Sequence, residues 1–467
     1  MEVVALGGVP LSTDNDGQYR GGVSVGLIHK ESSSVLVLDA GLMKEPVEFR
    51  KNQRISIIRR PDENLPATKF PFSVNDLLPN WSLLDEYKNI YILITHAHAD
   101  HAAGLPFLYK RMKLKGKHVK VIMKPESYRL LKILLLDMLK IFEAREEKSA
   151  AATVNEFLFH HRKKDFIFLN MLAPTHLGQF SIEAYNSGHI LGAVSYLITG
   201  PDKKRVIFTG DISFSNQSLL YPSRIVDGSG NLANSPIDLL ITEATSATRD
   251  FPSNFTEEEK NFIEEVNKIR NQGGWVIIPA LAIGRVSEIL NILNRNGIRP
   301  FLEGELAKES VKVYQKSGYN IRYNEFEYYG AREKIGPLVV VAPSGMLNGG
   351  WSLWWAKKII NDSKSAILIT SWQDPVGVGT FLLNSQKEEK VLFYDLRKEK
   401  WEEKIIRAEI KQFSFSTHPC LNSLKNMGNA KSTKSTMLIH ADRNSLIAAA
   451  SAIKNSFVPE IGKKYIL

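Results

Sequence analysis

One segment of the chain reads Ile94-Thr95-His96-Ala97-His98-Ala99-Asp100-His101-Ala102-Ala103-Gly104-Leu105, and it directly follows the apolar run Ile90-Tyr91-Ile92-Leu93. The apolar run predicts a buried strand that ends in this segment. Side chains two residues apart on a strand point the same way, so His96 and His98 are predicted to bind one metal ion. Asp100 and His101 would then turn toward a second ion. Imidazole and carboxylate ligands suit zinc or a similar cation.

Further candidate ligands follow other predicted strands. His189 lies in the turn Ser187-Gly188-His189 between predicted strands 180–185 and 194–198, and it is the ligand that the first site still lacks. The strand beginning at residue 205 runs into Thr209-Gly210-Asp211, where a carboxylate is placed to bridge two ions. Near the end of the chain, a strand over 405–413 leads to Ser416-Thr417-His418. A second strand, over 436–439, ends in His440.

Composition limits the class of protein. The 467 residues, 43% of them hydrophobic, predict a large core and two domains. The single cysteine excludes an internal disulfide framework and favours the cytoplasm. The most apolar helix candidate, residues 130–142, is interrupted by charged residues, and the first residues lack a signal-peptide pattern, so no membrane segment or secretion is expected. The net charge of +10 favours an acidic partner such as nucleic acid.

The order of predicted elements gives the domain organisation. Strands over 2–6, 21–28 and 34–38 predict an antiparallel meander, and the third runs into Asp39-Ala40-Gly41. From about residue 247, helices and strands alternate, which predicts a parallel sheet covered by helices. We therefore predict one domain built from residues 1–246 and 403–467, with an α/β domain over 247–402 inserted into it.

Two kinds of feature could contact phosphate. Glycine-rich loops follow strands of the inserted domain at 279–285, 342–350 and 376–380, and such loops either bind phosphate at a helix N-terminus or simply pack tightly. The candidate phosphate-binding residues are Gly284, Arg285, Ser344 and Gly345. Two basic runs, residues 110–120 and 160–164, either guide phosphate or form a solvated surface.

Together these motifs resemble the β-CASP branch of the metallo-β-lactamase superfamily, which includes ribonuclease J and the nuclease subunit of the cleavage and polyadenylation specificity factor. The resemblance covers nearly the whole chain, with Glu243, His418 and His440 at the family's motifs A, B and C. It implies an αββα sandwich with an inserted α/β domain whose sheet is mainly parallel. Departures are Thr245-Ser246-Ala247 after motif A, Pro419-Cys420 after motif B and Ala441 after His440. These departures concern the geometry around the leaving group and the contacts to substrate. None of them changes an expected metal ligand.

The resemblance also implies roles for the candidate residues. It assigns ligands to two zinc ions: His96, His98 and His189 for one, Asp100, His101 and His440 for the other, and Asp211 between them. Hydroxide held between the ions would be the nucleophile, with Asp100 and Asp211 at the catalytic centre. His418 would donate a proton to the leaving oxygen and Glu243 would orient it. Asp39 would brace the metal loop.

The function implied is hydrolysis of single-stranded RNA in processing or decay, by a homodimer or within a complex. Three alternatives remain open: a DNA nuclease of the same branch, a small-molecule metallohydrolase, and an inactive scaffold. DNA-acting relatives tend to have valine where this chain has His440, a small-molecule enzyme needs no inserted domain, and scaffolds lose metal ligands. The sequence has no His-Ala-Ser-Gly-His loop of the ribonuclease J type, which argues against a dedicated pocket for the 5′ end. Internal cleavage and digestion from the 5′ end both remain open.

Overall fold

Two seven-stranded sheets form the larger part of the molecule. The structure is a computed structural model that describes residues 1–10, 19–43, 47–64, 73–171, 173–225, 236–249, 255–327, 336–395 and 398–467. The first sheet contains, in spatial order, β22 (Lys464–Ile466), β1 (Glu2–Pro10), β2 (Tyr19–His29), β3 (Ser34–Leu38), β5 (Asn89–Leu93), β6 (His118–Met123) and β7 (Phe166–Phe168). The second contains β21 (Ser456–Phe457), β20 (Thr436–Ile439), β12 (Leu239–Glu243), β11 (Arg205–Phe208), β10 (Val194–Thr199), β9 (Phe180–Asn186) and β8 (Thr175–Leu177).

The two sheets pack face to face. Alternate side chains of both sheets, such as Val25 and Tyr91 from the first and Tyr196 and Met437 from the second, meet in one buried cluster. Helices cover the outer faces: α2 (Ala99–Ala102), α3 (Leu105–Leu114), α4 (Pro125–Ala144) and α5 (Lys148–His160) on the first sheet, and α11 (Leu421–Gly428) and α12 (Arg443–Ala452) on the second. Short 3₁₀ turns occupy Val74–Leu77, Ser82–Glu86 and Lys163–Asp165. The predicted αββα sandwich is confirmed.

A third sheet forms the inserted part of the chain. Its five strands, all parallel, are β14 (Phe301–Leu302), β15 (Val339–Ala342), β13 (Val276–Pro279), β16 (Ala366–Ile369) and β19 (Glu409–Gln412). One face is covered by α6 (Phe255–Asn271), α7 (Arg285–Arg295) and α8 (Glu305–Lys316), and the other by α9 (Gly350–Ile359) and α10 (Val378–Leu383). The predicted parallel sheet covered by helices is confirmed.

The return to the sandwich differs from the prediction. Residues 405–413 do not form one strand, because β18 (Lys400–Ile405) and β19 are separate, and β19 pairs with β16 in the parallel sheet. The chain therefore leaves the inserted sheet after Gln412, later than the expected boundary at residue 402. Parts of the predicted range 247–402, namely 250–254, 328–335 and 396–397, lie outside the described residues.

A small fourth sheet joins the two parts of the molecule. It consists of β18, β17 (Lys390–Asp395) and β4 (Ile58–Arg59), with β4 following helix α1 (Val47–Ile57) of the first segment. On α1, Arg50 forms an ion pair with the buried Asp374 of the inserted part. This connection leaves no pattern in the sequence, because a two-residue strand shows no alternation.

The first basic run of the sequence lies next to acidic side chains in the structure. The basic side chains between 110 and 120 are largely neutralised: Lys110 pairs with Glu156, Arg111 and Lys115 with Asp85, and Lys113 with Asp165. This supports the solvated-surface interpretation of that run. No helix among the described ranges is long and apolar enough to span a membrane.

Candidate metal centre

The candidate site lies where several parallel strands end at one edge of the sandwich. In the first sheet, the parallel neighbours β3 and β5 lead into Asp39 and His96. In the second sheet, the parallel neighbours β11, β12 and β20 lead to Asp211, Glu243 and His440. The carboxyl ends of parallel strands meet at the same edge, which brings these distant residues together.

A glycine permits this close approach. Gly210, directly before Asp211, has a φ of 55°, in the left-handed region that favours glycine. A Cβ atom at this position would lie 2.7 Å from the Thr95 side chain. The two sheets therefore converge at the metal-ligand loops only because residue 210 has no side chain.

Three histidines and one carboxylate form the first cluster: His96, His98, His189 and Asp211. The Nδ1 atom of His98 lies 3.2 Å from Nε2 of His96 and 3.1 Å from Nε2 of His189. Oδ2 of Asp211 lies 3.6 Å from Nε2 of His96 and 3.4 Å from Nε2 of His189. Four donor atoms of the types that zinc prefers thus surround one point.

The second cluster contains Asp100, His101 and His440 beside the same Asp211. Oδ1 of Asp211 lies 3.1 Å from Nε2 of His101 and 3.0 Å from Nδ1 of His440. Nε2 of His440 lies 3.3 Å from Oδ2 of Asp100. The two oxygens of Asp211 therefore face different clusters, which is the arrangement of a bridging carboxylate.

Hydrogen bonds orient four imidazoles so that one ring nitrogen of each faces the ligand clusters. The outward nitrogens lie against Thr95 Oγ1 at 3.0 Å for His96, the Ile283 carbonyl at 3.3 Å for His98, Asp39 Oδ2 at 2.7 Å for His101 and Thr417 Oγ1 at 2.9 Å for His189. Such partners fix the tautomer and orientation of a metal-binding histidine. Asp39 in turn accepts hydrogen bonds from the amide and hydroxyl of Thr95 at 2.7 and 2.8 Å.

The donor atoms fit divalent cations. At zinc–nitrogen distances of about 2.0–2.1 Å in a tetrahedral site, two ligand nitrogens lie about 3.3 Å apart, close to the spacing in the first cluster. In the second cluster, His101 Nε2 and Asp211 Oδ1 are buried and neither has a hydrogen bond within the described residues. Buried polar atoms are normally satisfied, so a cation between these atoms accounts for both.

The pKa values of the histidines differ between the first and the second cluster. Burial lowers the pKa of His96 and His189 well below the usual range, so both are neutral, as metal ligands must be. Burial opposes ionisation of Asp211 as well, but His101 and His440 outweigh it and hold the pKa of Asp211 well below its usual range. Burial likewise disfavours charged His440, whereas the Asp211 carboxylate raises the pKa of His440 to about 10. Metal binding at the second cluster must therefore displace protons.

A separate acid–base pair lies beside the clusters. Nδ1 of His418 lies 2.7 Å from Oε2 of Glu243 and 4.0 Å from Oδ2 of Asp211. Burial alone would lower the pKa of His418, but the Glu243 carboxylate raises it. Glu243 is fixed in turn because its Oε1 accepts the Ile212 amide at 2.9 Å. An imidazole that is held at Nδ1, and whose charged form the neighbouring carboxylate favours, can act as a general acid.

The inserted domain closes directly over the first cluster. Besides the Ile283 carbonyl on His98, the next residue, Gly284, has a φ of 93°, and a Cβ there would lie 2.6 Å from Ile190 and 4.0 Å from His98 Nε2. The loop after β13 thus forms one wall of the site. The first cluster therefore lies where the inserted domain meets the sandwich.

The other residues predicted to contact phosphate have packing contacts. Arg285 is half-buried and its guanidinium donates a hydrogen bond to the Phe415 carbonyl. Burial lowers the pKa of Arg285 to about 10, which leaves it charged at neutral pH. The Ser344 carbonyl accepts from Ser352 at 2.8 Å, and the Gly345 carbonyl accepts from Gln373 at 2.9 Å. These contacts favour the packing interpretation of the loop at 342–350.

Three threonines that the sequence analysis passed over orient the predicted ligands. Thr95 and Thr417 each directly precede a candidate histidine, and Thr245 lies two residues after Glu243. The Thr245 hydroxyl donates to the His440 carbonyl at 2.8 Å and lies 3.2 Å from its Nδ1. The signal in the sequence was position alone, since Thr95 and Thr417 adjoin a histidine and Thr245 lies close to Glu243.

Two family models match separate parts of the chain. The model of the β-CASP domain matches residues 237–382, and the model described as anti-Pycsar protein Apyc1 matches residues 69–226. A solved structure of a protein of unknown function from Enterococcus faecalis V583 superposes with a TM-score of 0.60 at 15% identity, covering 100% of this chain and 99% of that one. That likeness concerns the fold alone.

Two curated relatives come from archaea. The "Probable RNase MJ4" of Methanocaldococcus jannaschii is 30% identical over 321 residues, which are 63% of this chain and 70% of the relative. The "Transcription termination factor FttA" of Thermococcus kodakarensis is 27% identical over 396 residues, 75% of this chain and 59% of the relative. With the β-CASP match and the clustered ligands, these similarities identify the chain as a member of the β-CASP family of metallo-β-lactamase-fold nucleases.

Proposed function

We propose that this chain is a two-zinc ribonuclease that hydrolyses single-stranded RNA in the cytoplasm, cutting within the strand. The observation that carries the proposal is Asp211, whose two carboxylate oxygens face two separate groups of histidine and aspartate ligands. Seven candidate ligands exceed the four of one tetrahedral zinc site and fit a bridged pair. A relative named as an RNase supports RNA as the substrate.

The metal ligands and the acid–base pair have distinct tasks in this proposal. When bound, a pair of divalent ions would lower the pKa of water for attack and polarise the phosphate. His96, His98 and His189 would hold one ion, Asp100, His101 and His440 would hold the other, and Asp211 would contribute one carboxylate oxygen to each group. Asp39 keeps His101 in the tautomer whose Nε2 faces the site.

The leaving oxygen receives its proton from His418. This imidazole lies close to Asp211, and Glu243 holds Nδ1, so Nε2 is the atom free to face the substrate. Glu243 also favours the charged form of His418, which keeps the proton available until the bond breaks. The products are then a 3′-hydroxyl on one fragment and a 5′-phosphate on the other.

The geometry supports a polymeric substrate over a small ester. The metal clusters lie between the sandwich and the inserted domain, where the loop after β13 touches His98. A small-molecule hydrolase would need neither this second wall nor His418. An inactive scaffold is equally disfavoured, since all seven candidate ligands are present and lie together. We retain Gly284 and Arg285 as proposed contacts to the phosphate backbone near this wall.

Zinc should raise the melting temperature of protein that has been freed of metal by chelation. The reason is that the folded chain brings the imidazoles and carboxylates of both clusters together around a metal ion, which the unfolded chain cannot do. Free zinc at 100 times the dissociation constant adds about 2.7 kcal/mol per site to the free energy of unfolding, so we expect a rise of at least about 5 °C. Calorimetry with zinc, magnesium and no metal measures it. An equal rise with magnesium would contradict the proposed donor chemistry.

Single-stranded RNA should be cut at least about tenfold faster than DNA of the same sequence, a gap of about 1.4 kcal/mol in transition-state stabilisation. Both substrates offer the same phosphodiester, so the preference must come from strand shape and a contact to the 2′-hydroxyl, which one hydrogen bond can supply. Initial rates on matched oligonucleotides, labelled at one end to reveal internal or terminal cutting, measure it. Equal rates, or faster cutting of DNA, would favour the DNA-nuclease alternative.

A further inference from the structure

Two large apolar side chains are exposed on neighbouring loops of the inserted domain. Leu281 follows β13 and is 38% exposed, and Trp372 follows β16 and is 37% exposed. Both loops contact Gly345, since a Cβ on that residue would lie 2.9 Å from the Leu281 amide and 3.0 Å from the Ser371 hydroxyl oxygen. Both therefore lie at the carboxyl edge of the parallel sheet, the edge that carries Ile283 to His98.

The loop that carries Trp372 is held in place by its neighbours. The Gln373 side chain donates to the carbonyls of Gly345 and Ser371 at 2.9 and 3.0 Å. Asp374 is buried, pairs with Arg50, and its carbonyl accepts from Thr380 at 2.7 Å. The residues on both sides of Trp372 are fixed by these contacts, while its indole is exposed. The indole is therefore held in place before any partner binds.

Two chains of contacts connect Trp372 with the acid–base pair. On one side, the Ser371 carbonyl accepts from Gln412 at 3.1 Å, and Gln412 ends the strand that leads to His418. On the other, the Arg249 guanidinium lies over the indole, 5.5 Å from its centroid. The Arg249 amide donates to the Ser246 carbonyl at 3.1 Å, and Ser246 pairs with Cys420 next to the His418 segment.

We propose that Trp372, together with Arg249, forms the stacking site for the base of the nucleotide on the 5′ side of the cleaved phosphate. The inference rests on the proposed function, because His418 gives its proton to the 3′ oxygen of that nucleotide, which places the nucleotide on the His418 side. An indole face stacks on any base, which suits a substrate recognised without a fixed sequence. The guanidinium above it can bind a backbone phosphate.

The test compares wild-type protein and Trp372→Ala on two RNA oligonucleotides with one mapped cleavage site. One is intact, and the other has an abasic nucleotide directly 5′ of the cut. Stacking of one base corresponds to about tenfold in kcat/KM. For the wild type, we expect the abasic nucleotide to lower kcat/KM about tenfold. On intact RNA, Trp372→Ala should lower kcat/KM about tenfold, mainly by raising KM. The two losses should not add. Trp372→Phe should recover most of the activity.

A matched control is Phe159→Ala, which removes an exposed aromatic side chain (64%) from α5 and should leave both substrates unaffected. If Trp372→Ala remained as sensitive to the abasic nucleotide as wild type, or became insensitive only to one on the 3′ side, the assignment would be overturned. If the wild type bound RNA without cutting it, the proposed function would fail separately. Binding of the same RNAs would then be measured by fluorescence anisotropy, with the abasic nucleotide moved along the strand. The stacking site would be supported if Trp372→Ala removed the loss of affinity caused by an abasic nucleotide at one position. It would be overturned if the loss persisted at every position.

Discussion

Asp211→Asn should reduce RNA cleavage at least about 10³-fold and leave less than one zinc ion per chain. Each carboxylate oxygen of Asp211 faces a different ligand cluster, at 3.0–3.1 Å from His101 and His440 and at 3.4–3.6 Å from His96 and His189. An amide offers one neutral oxygen where two charged ones are needed. A bound metal ion contributes several kcal/mol of charge stabilisation, and about 4 kcal/mol corresponds to 10³ in rate.

Elemental analysis and single-turnover cleavage measure the two effects together. The control is Asp165→Asn, which changes another buried carboxylate, one that pairs with Lys113 and Tyr109 away from the clusters. That variant should keep two zinc ions and nearly full activity. An Asp211→Asn protein that retained two ions would show that this carboxylate does not bridge them.

His418→Ala should slow cleavage by about 10² to 10⁴ while keeping the zinc content unchanged. Nδ1 of His418 lies 2.7 Å from Glu243 and 4.0 Å from Asp211, so under the proposed division of roles its loss removes a proton donor and no ligand. Glu243→Gln should give a smaller loss, because glutamine can still accept the Ile212 amide but no longer favours the charged imidazole.

The matched comparison is His440→Ala, which removes a candidate ligand at a similar depth. It should lower the zinc content toward one per chain, along with activity. Equal loss of zinc from His418→Ala and His440→Ala would contradict the separation of ligand from proton donor.

The strand ends could be predicted from the sequence pattern, whereas the sandwich and the grouping of the histidines were implied by the resemblance to the β-CASP branch. Buried strands are visible as short apolar runs, and a histidine or aspartate that directly follows such a run must lie at a strand end. The structure supplies the physical reason for the grouping, because parallel strands carry their carboxyl ends to one edge and so bring Asp211 and His440 together.

Contacts between segments far apart in the chain left no such pattern. The carbonyl of Ile283 on His98 and the hydroxyl of Thr417 on His189 depend on how the inserted domain and the returning chain lie against the sandwich. Strand β19 joined the parallel sheet although its sequence, Glu-Ile-Lys-Gln, has little apolar character. The sequence left the basic run from residue 110 open between a phosphate-guiding and a solvated surface, because its acidic partners, Asp85 and Asp165, are distant in sequence.

The most direct test of the central claim is a cleavage reaction in water enriched in oxygen-18, with mass analysis of both product ends. If water attacks the phosphorus and His418 protonates the 3′ oxygen, the downstream fragment carries one heavy oxygen on its 5′-phosphate after a single turnover, and the upstream fragment ends in an unlabelled 3′-hydroxyl. A 2′,3′-cyclic phosphate on the upstream fragment would mean that the RNA's own 2′-hydroxyl attacks, and it would contradict hydrolysis at the paired metal site.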